Sequence, residues 1–412
     1  MKVSRMDLRT RFDSWQCTAP LPTASHREIV REMNLSGCKW DTQMGDIPTL
    51  APFALVLPRS DWLCLAALAE ALSREMVALE RQLHDRPDLW SRLGLPKQLL
   101  QVLNRDEPWT PAAARIVRYD FHPTAKGWQI SEVNSDVPGG FNESSTFTRL
   151  MAEQNCGCQA ADDPMAEFTA ALTHSVNGIP RLALLAAPGY TEDWQIISGL
   201  DSAFRRHGIE ACLARPEQLT WENNRAFIRQ AGKLQPIGGI HRFYQGEWLT
   251  RLPVEKWRHL LRGGLTPVCN PAIAILSESK RLPLLWPELK TDTPTWQSVL
   301  AETRPSTVAL RNGLTDWVIK PSYCNTGDTI ISRGWQPGSQ LFLTAIRSVL
   351  NARAWVAQKR FLTLPISTPA GPMYPCLGIY TINGKASGIY GRLSPKPVID
   401  YSARDVAILL RD

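Results

Sequence analysis

The sequence lacks any apolar segment that is long enough to cross a membrane. Its longest apolar stretch, residues 63–72, is interrupted by Glu70 and is far shorter than the roughly 20 residues that a spanning helix needs. The N-terminal stretch MKVSRMDLRTRFDSW has no apolar core of a secretory signal. The nine cysteines are odd in number and irregularly spaced, which is not typical of a disulfide framework. These absences predict a cytoplasmic protein.

Long runs of one charge and low-complexity tracts are also missing, so flexible tails and linkers are not expected. Apolar residues make up 44% of the 412 residues, which is enough for the large core of a protein with two or three lobes. The net charge of +7 suits an anionic ligand such as a nucleotide. The basic residues are scattered and no aromatic residues alternate with them in a repeating pattern, so nucleic-acid binding is not expected.

The first 110 residues are predicted to form a mainly helical region. Apolar side chains recur at helical spacing from Ser60 to Leu83, and Arg86-Pro87 ends this pattern. The following segment, PDLWSRLGLPKQLLQVL, predicts two short helices that are separated at Gly94. We expect packing from this region and not chemistry.

Residues 178–272 have the pattern of a small α/β lobe. The apolar run RLALLAAPGY is followed by a predicted helix over 192–207 and by the strand IEACL, which together predict a β-α-β unit. Strands at Ile237–Arg242 and Pro267–Asn270 would extend the same sheet. No GxGxxG motif follows the first strand, so a dinucleotide site is not expected.

The last third of the chain returns to β structure. Strands are predicted at WVIK, TIIS, WVAQKRF, CLGIYTI and KASGIYGRL. The last two are separated by Asn383-Gly384, which is the strongest short signal for a two-residue hairpin turn.

A pair of strands, RIVRYDF and WQISEVN, carries the residues that are best suited to chemistry. The polar loop HPTAKG joins them, so an antiparallel hairpin is predicted. Because side chains alternate along a strand, Arg118 and Asp120 share one face, and so do Glu132 and Asn134. Two carboxylates and one carboxamide offer only oxygen ligands, which Mg²⁺ prefers. The hairpin therefore predicts a magnesium site at Asp120, Glu132 and Asn134, with Arg118 as a donor to a phosphoryl group or an oxyanion.

The alternative for the hairpin residues is a set of surface ion pairs, which are common and contribute little. The next loop, 138–140, favours a ligand site because its two glycines let the backbone approach a ligand closely. Lys320 ends the strand WVIK ahead of Gly327, and Lys280 opens an expected helix, so both could reach phosphates. An ordinary surface position is the alternative for each lysine. His122 has no partner at a recognisable spacing and is expected to be structural.

These motifs resemble those of the circularly permuted ATP-grasp ligases typified by glutathionylspermidine synthase. Arg118-x-Asp120 followed by Glu132-x-Asn134 is similar to the Arg-x-Asp and Glu-x-Asn magnesium motif of that family. In ordinary ATP-grasp enzymes the magnesium carboxylates come after the phosphate lysines, whereas here they precede both candidate lysines. This order is what a circular permutation implies.

The resemblance covers residues 35–410 and implies an α/β (α+β) fold, a circularly permuted ATP-grasp fold with an inserted lobe. Residues 111–177 would carry the magnesium site, 178–272 would form the pre-ATP-grasp lobe, and 273–412 would supply the lid and the nucleotide-binding segment. The helical region 1–110 would precede them.

The resemblance also implies roles for residues in the last third. Lys280 and Lys320 would contact phosphates, and Gly327 would lie in the lid loop. Gln358, in VAQKRF, would lie at the hinge beside adenine, and Arg392, in GIYGRLS, would face the phosphates.

Two departures from the family pattern stand out. The family lid commonly reads Lys-Pro-x-x-Gly-Arg-x-Gly, but here Cys324 and Asn325 replace the Gly-Arg pair. After the magnesium motif, Val137 and Gly139 replace small hydroxyl residues that help to hold glutathione. Glutathione and spermidine are therefore not the expected substrates.

The implied function is an ATP- and Mg²⁺-dependent ligase. A small-molecule or peptide carboxylate would attack the γ-phosphate of ATP, and an amine would then displace phosphate from the acyl phosphate. Arg118 would stabilise the oxyanion. The alternatives are a phosphotransferase on the same scaffold that releases its phosphorylated product, and a degenerate nucleotide-binding protein without turnover.

Overall fold

A computed structural model describes most of the chain. The described ranges are 12, 14–103, 109–176, 178–311, 316–323, 330–332 and 346–412. Gly327 and the lid positions Cys324 and Asn325 lie outside these ranges. Among the described helices, none is both long and apolar enough to cross a bilayer.

The strands are numbered in chain order. They are β1 (Gln16–Cys17), β2 (Gln43–Met44), β3 (Ile47–Pro48), β4 (Leu50–Pro58), β5 (Ile116–Thr124), β6 (Gly127–Asn134), β7 (Gln159–Ala160), β8 (Arg181–Ala186), β9 (Glu210–Ala214), β10 (Leu219–Glu222), β11 (Arg225–Gln230), β12 (Lys233–Pro236), β13 (Gly239–Phe243), β14 (Val268–Cys269), β15 (Thr303–Pro305), β16 (Trp317–Pro321), β17 (Trp355–Lys359), β18 (Ile366–Thr368), β19 (Gly371–Ile382), β20 (Lys385–Ser394) and β21 (Arg404–Arg411).

The helices are numbered in the same way. The α-helices are α1 (Thr23–Leu35), α2 (Arg59–His84), α3 (Pro87–Trp90), α4 (Lys97–Val102), α5 (Thr148–Glu153), α6 (Pro164–His174), α7 (Thr191–Arg206), α8 (Arg258–Leu261), α9 (Ala274–Ser277), α10 (Pro294–Val299) and α11 (Ser306–Arg311). A π-helix covers Glu143–Phe147, and 3-10 helices cover Pro216–Gln218, Gly246–Arg251, Val254–Lys256, Leu282–Glu288 and Ala352–Ala354.

Nine strands form the central sheet, whose main path runs β1-β4-β21-β20-β19-β5-β6, with β7 beside β21 and β18 beside β19. Strands β4 and β21 are parallel, and the other neighbours are antiparallel. The apolar stripe of α2 covers one face, where Leu65, Leu72 and Met76 share a core with Tyr119 and Leu377. The opposite face of β5 is thereby left for polar side chains.

The predicted helices of the N-terminal region are confirmed. Helix α2 begins at Arg59 and ends at His84, just before the predicted stop. Helices α3 and α4 are separated at Gly94, where φ is +85°. A Cβ atom at Gly94 would lie 2.5 Å from the carbonyl oxygen of Arg353. Both the backbone angle and the close approach require glycine at this break.

Strand β4 was not predicted from the sequence. Its residues, LAPFALVLP, are almost all buried because both faces of the strand are covered. Phe53 and Leu55 join the core beneath α2, whereas Ala54 and Val56 pack with Met33 of α1. A strand that is buried on both faces has no alternation of apolar and polar residues, which was the signal used. The mainly helical region therefore supplies a strand of the central sheet.

The predicted β-α-β unit is confirmed within a four-stranded parallel sheet in the order β14-β13-β8-β9. Helix α7 connects β8 to β9 and runs Thr191–Arg206, close to the predicted 192–207. The sequence did not predict the antiparallel sheet β10-β11-β12, which lies between β9 and β13 in the chain. The domain limits at 110, 177 and 272 stay predictions.

The third sheet that contains predicted strands has the order β15-β17-β16 and includes WVIK and WVAQK. In the predicted strand TIIS, Ile331 makes a single bridge to Ile319. The hairpin between β19 and β20 is confirmed, with Asn383 and Gly384 at φ of +50° and +83°. These positive angles at both turn positions explain the Asn-Gly pair.

Candidate active site

The hairpin of β5 and β6 forms as predicted. In its antiparallel register Arg118 pairs with Asn134 and Asp120 with Glu132, and a bulge follows Asp120. Apolar side chains of β5, including Tyr119, fill the core on the opposite face. The four predicted residues therefore lie next to one another on one side of the hairpin.

Asp120 is fully buried and two arginines bind it. Arg118 donates from Nε at 2.7 Å and from a second nitrogen at 3.0 Å, and Arg392 donates at 2.6 Å. Burial alone would raise the pKa of Asp120, but the two guanidinium groups outweigh it and lower this pKa to about 2. The carboxylate is therefore ionised at neutral pH. The predicted metal ligand and two predicted phosphate or oxyanion donors form one charged group.

Lys280 lies beside the second predicted metal ligand, with its Nζ 3.3 Å from Oε2 of Glu132. It occupies the turn between α9 and the 3-10 helix Leu282–Glu288. The helix that Lys280 was expected to open begins two residues later, at Leu282, and it is a 3-10 helix. Lys280 is thus held at the site and is not an ordinary surface lysine.

Lys320 connects the third sheet to the hairpin. Its Nζ donates to the carbonyl oxygen of Ser131 at 2.8 Å and to Oε1 of Gln358 at 2.7 Å. Gln358 is on β17 and pairs with Val318 on β16. The lysine is buried, so a surface position is wrong for it.

A cleft that is open to solvent lies between the third sheet and the central sheet. Four of the predicted residues line it, namely Glu132, Lys320, Gln358 and Arg392. Its apolar walls include Val318, Ile330, Phe361, Val398 and Ile399. Apolar walls with a few polar and cationic groups are typical of a small-molecule site.

His122 also lines the cleft, which the sequence did not predict. Its Nε2 is 2.9 Å from Oγ of Ser131, and its ring contacts Phe361 with centroids 5.4 Å apart. Burial lowers the pKa of His122 to about 4, and the positive charges of Arg392 and Lys320 act in the same direction. The imidazole is therefore neutral at pH 7, and no sequence spacing pointed to its place in the cleft.

Three side chains on the hairpin could hold a magnesium ion, and all of them offer oxygen atoms. Nδ2 of Asn134 is buried and has no hydrogen-bond partner among the described residues. Among the described residues, no three acidic, histidine or cysteine side chains converge on one point. The amide of Asn134 is therefore needed beside Asp120 and Glu132. This donor set fits Mg²⁺, which commonly takes one or two carboxylates and leaves positions to water and phosphate.

The segment that follows the hairpin is held by two buried acids that the sequence did not single out. Asp136 pairs with Arg242 of β13 and accepts from the backbone of Gly246 at 2.8 Å. Glu278 accepts from the backbone nitrogens of Ser135 and Asp136, and burial raises the pKa of Glu278 to about 8. These contacts join the hairpin to the carboxyl end of the parallel sheet, but their sequence separations of more than 100 residues give no local signal.

The loop after this segment approaches Arg118 directly. The carbonyl oxygen of Gly139 accepts from Nη1 of Arg118 at 2.8 Å and from the hydroxyl of Tyr380 at 2.5 Å. Gly140 has φ of +90°. The backbone of the glycine loop therefore contacts Arg118, and its approach to a ligand stays a prediction.

The family model of the glutathionylspermidine synthase preATP-grasp family matches residues 28–411. The chain therefore belongs to this family, and the predicted resemblance is confirmed. A comparison with curated protein sequences finds no match.

Two solved structures are similar to this chain to different degrees. A glutathione synthetase-like effector from Globodera pallida is 14% identical, with a TM-score of 0.61 over 93% of this chain and 97% of that chain. A putative gamma-glutamylcysteine synthetase from Methylobacillus flagellatus is 12% identical, with a TM-score of 0.42 over 82% of this chain and 86% of that chain. The first likeness confirms the α/β fold class.

Proposed function

We propose that the protein is an ADP-forming carbon–nitrogen ligase that uses ATP and Mg²⁺ to join a carboxylate to an amine. The observation that carries this proposal is the charged group of Arg118, Asp120 and Arg392, beside Glu132 and Lys280, at a cleft with apolar walls. Membership of a synthase family supports the ligase class.

ATP would lie in the cleft. Val318, Ile330 and Phe361 would contact the adenine, with Gln358 at its polar edge. Lys320, held by Gln358 and Ser131, would then be aimed at the phosphates. Gly327 would belong to the lid over them. A nucleotide is the ligand that best matches an apolar slot with cations at one end.

Asp120, Glu132 and Asn134 would hold the magnesium ion. Bound there, Mg²⁺ would offset the negative charge of the phosphates during transfer. Lys280 and Arg392, which pair with these carboxylates, would then pass to the phosphate oxygens. Each buried charge would then keep a partner when nucleotide and metal bind.

The proposed reaction has two steps, phosphoryl transfer and amide formation. An oxygen of the substrate carboxylate forms a bond to the γ-phosphorus as the bond to ADP breaks. The amine nitrogen then bonds to the acyl carbon, phosphate leaves, and the amine loses a proton to solvent. Arg118, fixed by Asp120 and the carbonyl of Gly139, would donate to the transferring phosphoryl group in the first step and to the oxyanion in the second. The acid is proposed as a small molecule or a peptide.

An ADP-release assay with sets of acids and amines tests this function. We expect ADP only when MgATP, one acid and one amine are all present, with one ADP for each amide formed. Asp120→Asn should abolish the signal, whereas Asp88→Asn, at an exposed ion pair with Arg86, should not change it.

Three results would contradict the proposal. A protein that fails to bind a non-hydrolysable ATP analogue with Mg²⁺ is not an ATP-dependent enzyme. ADP formation that needs an acid but no amine would indicate a phosphotransferase. Full activity of Asp120→Asn would remove the proposed metal site.

A further inference from the structure

Tyr390 links the candidate active site to a second group of buried charges. Nζ of Lys39 lies 2.6 Å from Oε1 of Glu143 and 3.1 Å from both Asp41 and Asp405. We call these four residues the buried lysine cluster. The hydroxyl of Tyr390 donates to Oδ1 of Asp405 at 2.7 Å. The tyrosine is thus anchored to a carboxylate that a buried lysine holds in turn.

The ring of Tyr390 contacts both arginines of the site. The central guanidinium carbons lie 5.2 Å from the ring centroid for Arg118 and 5.3 Å for Arg392, within cation–π range. Both arginines also donate to Asp120 through N–H bonds, which lie in the guanidinium plane. The carboxylate therefore binds the edge of each guanidinium, while the aromatic ring offers a second, independent contact.

A glycine between the two contacts makes room for this arrangement. Across the central sheet, Asp120 pairs with Gly378, and Gly378 pairs with Tyr390. A Cβ atom at Gly378 would lie 2.7 Å from Cδ and 3.0 Å from Nε of Arg118. Because position 378 has no side chain, Arg118 can extend across β19 and reach the tyrosine ring.

The glycine loop rests on the same ring. A Cβ atom at Gly140 would lie 2.7 Å from Cδ1 of Tyr390 and 2.8 Å from the hydroxyl of Tyr380. The neighbouring carbonyl of Gly139 accepts from Arg118. A change in the position of the ring would therefore displace the loop and the guanidinium together.

We propose that Tyr390 is a positioning residue, held by Asp405 of the buried lysine cluster, that fixes the guanidinium groups of Arg118 and Arg392 toward the transferring phosphoryl group. This inference rests on the proposed function. It assigns Tyr390 no contact with substrate, and its effect passes through the two arginines. It also gives the buried lysine cluster a purpose, since that cluster fixes the tyrosine hydroxyl.

The test compares two affinities, that for MgADP alone and that for MgADP with aluminium fluoride, which mimics the transferring phosphoryl group. In Tyr390→Leu we expect the affinity gained on adding aluminium fluoride to fall roughly tenfold, because the ring contact is lost. The affinity for MgADP alone should change less than about twofold. Tyr390→Phe keeps the ring and loses only the hydroxyl bond, so the loss should be roughly threefold.

Tyr119→Leu is the matched control. Tyr119 is a fully buried tyrosine of the same sheet, but it packs in the apolar core on the other face. This variant should lower the melting temperature and leave both affinities unchanged. If Tyr390→Leu does not fold, Tyr390→Phe and Gly378→Ala supply the same comparison, since Gly378→Ala should displace Arg118.

The outcomes are distinguishable. A wild-type protein that binds no MgADP overturns the proposed function and this inference with it. A wild-type protein that gains affinity with aluminium fluoride, beside Tyr390 variants that gain it equally, overturns the positioning role alone. Equal losses for both ligands would show that Tyr390 is merely structural and would also overturn it.

Discussion

Two buried charge clusters meet at Tyr390, and they differ in the sign of their excess charge. At the site, Arg118 and Arg392 share the single carboxylate of Asp120. In the buried lysine cluster, one ammonium group serves three carboxylates, those of Asp41, Glu143 and Asp405. The first cluster can release a cation to a phosphate without leaving Asp120 unpaired, whereas the second has no cation to spare.

The two clusters also differ in their access to a ligand. Arg392 lines the cleft, so the cation-rich cluster is accessible to a ligand. Lys39 is only 8% exposed in its side chain. Burial lowers the pKa of Lys39, but Asp405, Glu143 and Asp41 outweigh it and raise this pKa well above its usual value. Excess positive charge at an open cleft is suited to binding an anion, whereas one buried ammonium group held by three carboxylates is suited to fixing a structure.

The largest effect should be a loss of stability when the buried lysine cluster is broken. Lys39→Met would leave three carboxylates without their cation, and removing one partner from a buried ion pair typically costs about 3–5 kcal/mol. Urea denaturation should show this loss in the free energy of unfolding. Lys385→Met, at an exposed lysine 3.8 Å from Glu70, should give no measurable change. A Lys39 variant as stable as the Lys385 variant would contradict the role assigned to the cluster.

In the charged group of Arg118, Asp120 and Arg392, a substitution should affect turnover and not stability. Arg118→Ala should reduce turnover roughly a hundredfold, since one lost oxyanion donor costs about 3 kcal/mol. Binding of MgATP should be largely retained, because Lys320 and Arg392 remain. The measurement is kcat with the acid and amine found by the ADP assay, with Arg304→Ala at an exposed position as control. Unchanged kcat would remove Arg118 from the chemistry.

The two clusters also differ in how far the sequence could predict them. The hairpin signal is local: alternation placed Arg118 with Asp120 and Glu132 with Asn134, and the structure has this register. The Asn-Gly turn at 383–384 and helix α2 were predictable for the same reason. Each depends on interactions within a few residues, which a single sequence displays.

The buried lysine cluster had no such signal. Lys39 and Asp405 come from opposite ends of the chain, and Glu143 lies in a π-helix between them. The pairing of Asp120 with Arg392 spans 272 residues, and only the family resemblance placed Arg392 near the phosphates. Strand β4 was missed because burial on both faces removes the alternating pattern. Long-range pairs and fully buried strands depend on tertiary packing, which a single sequence does not display.

The free energy of unfolding should depend on pH through Glu278, which binds the backbone of Ser135 and Asp136. Burial raises the pKa of Glu278 from 4.5 in the unfolded chain to about 8. Between these values the folded protein keeps a proton that the unfolded chain has lost, so stability falls as pH rises through this window. Glu278→Gln should remove the fall, and its stability relative to wild type should rise by about 2 kcal/mol between pH 5 and pH 6.5. Urea denaturation at both pH values measures it, and an advantage that shrinks with pH would contradict the assignment.

The smallest effect should be on nucleotide affinity, and it should differ between Lys320 and Lys280, the two lysines of the candidate active site. Lys320→Met loses a cation held by Gln358 and Ser131, and one charged hydrogen bond is typically worth about 1.5 kcal/mol or more. The dissociation constant of a non-hydrolysable MgATP analogue should rise roughly tenfold. Lys280→Met should raise it less without Mg²⁺ than with it, because Lys280 can pass to phosphate only when the metal takes over Glu132. Equal changes in the dissociation constant with and without metal would show that Lys280 stays paired with Glu132. The ion pairs of the candidate active site would then be as fixed as those of the buried lysine cluster.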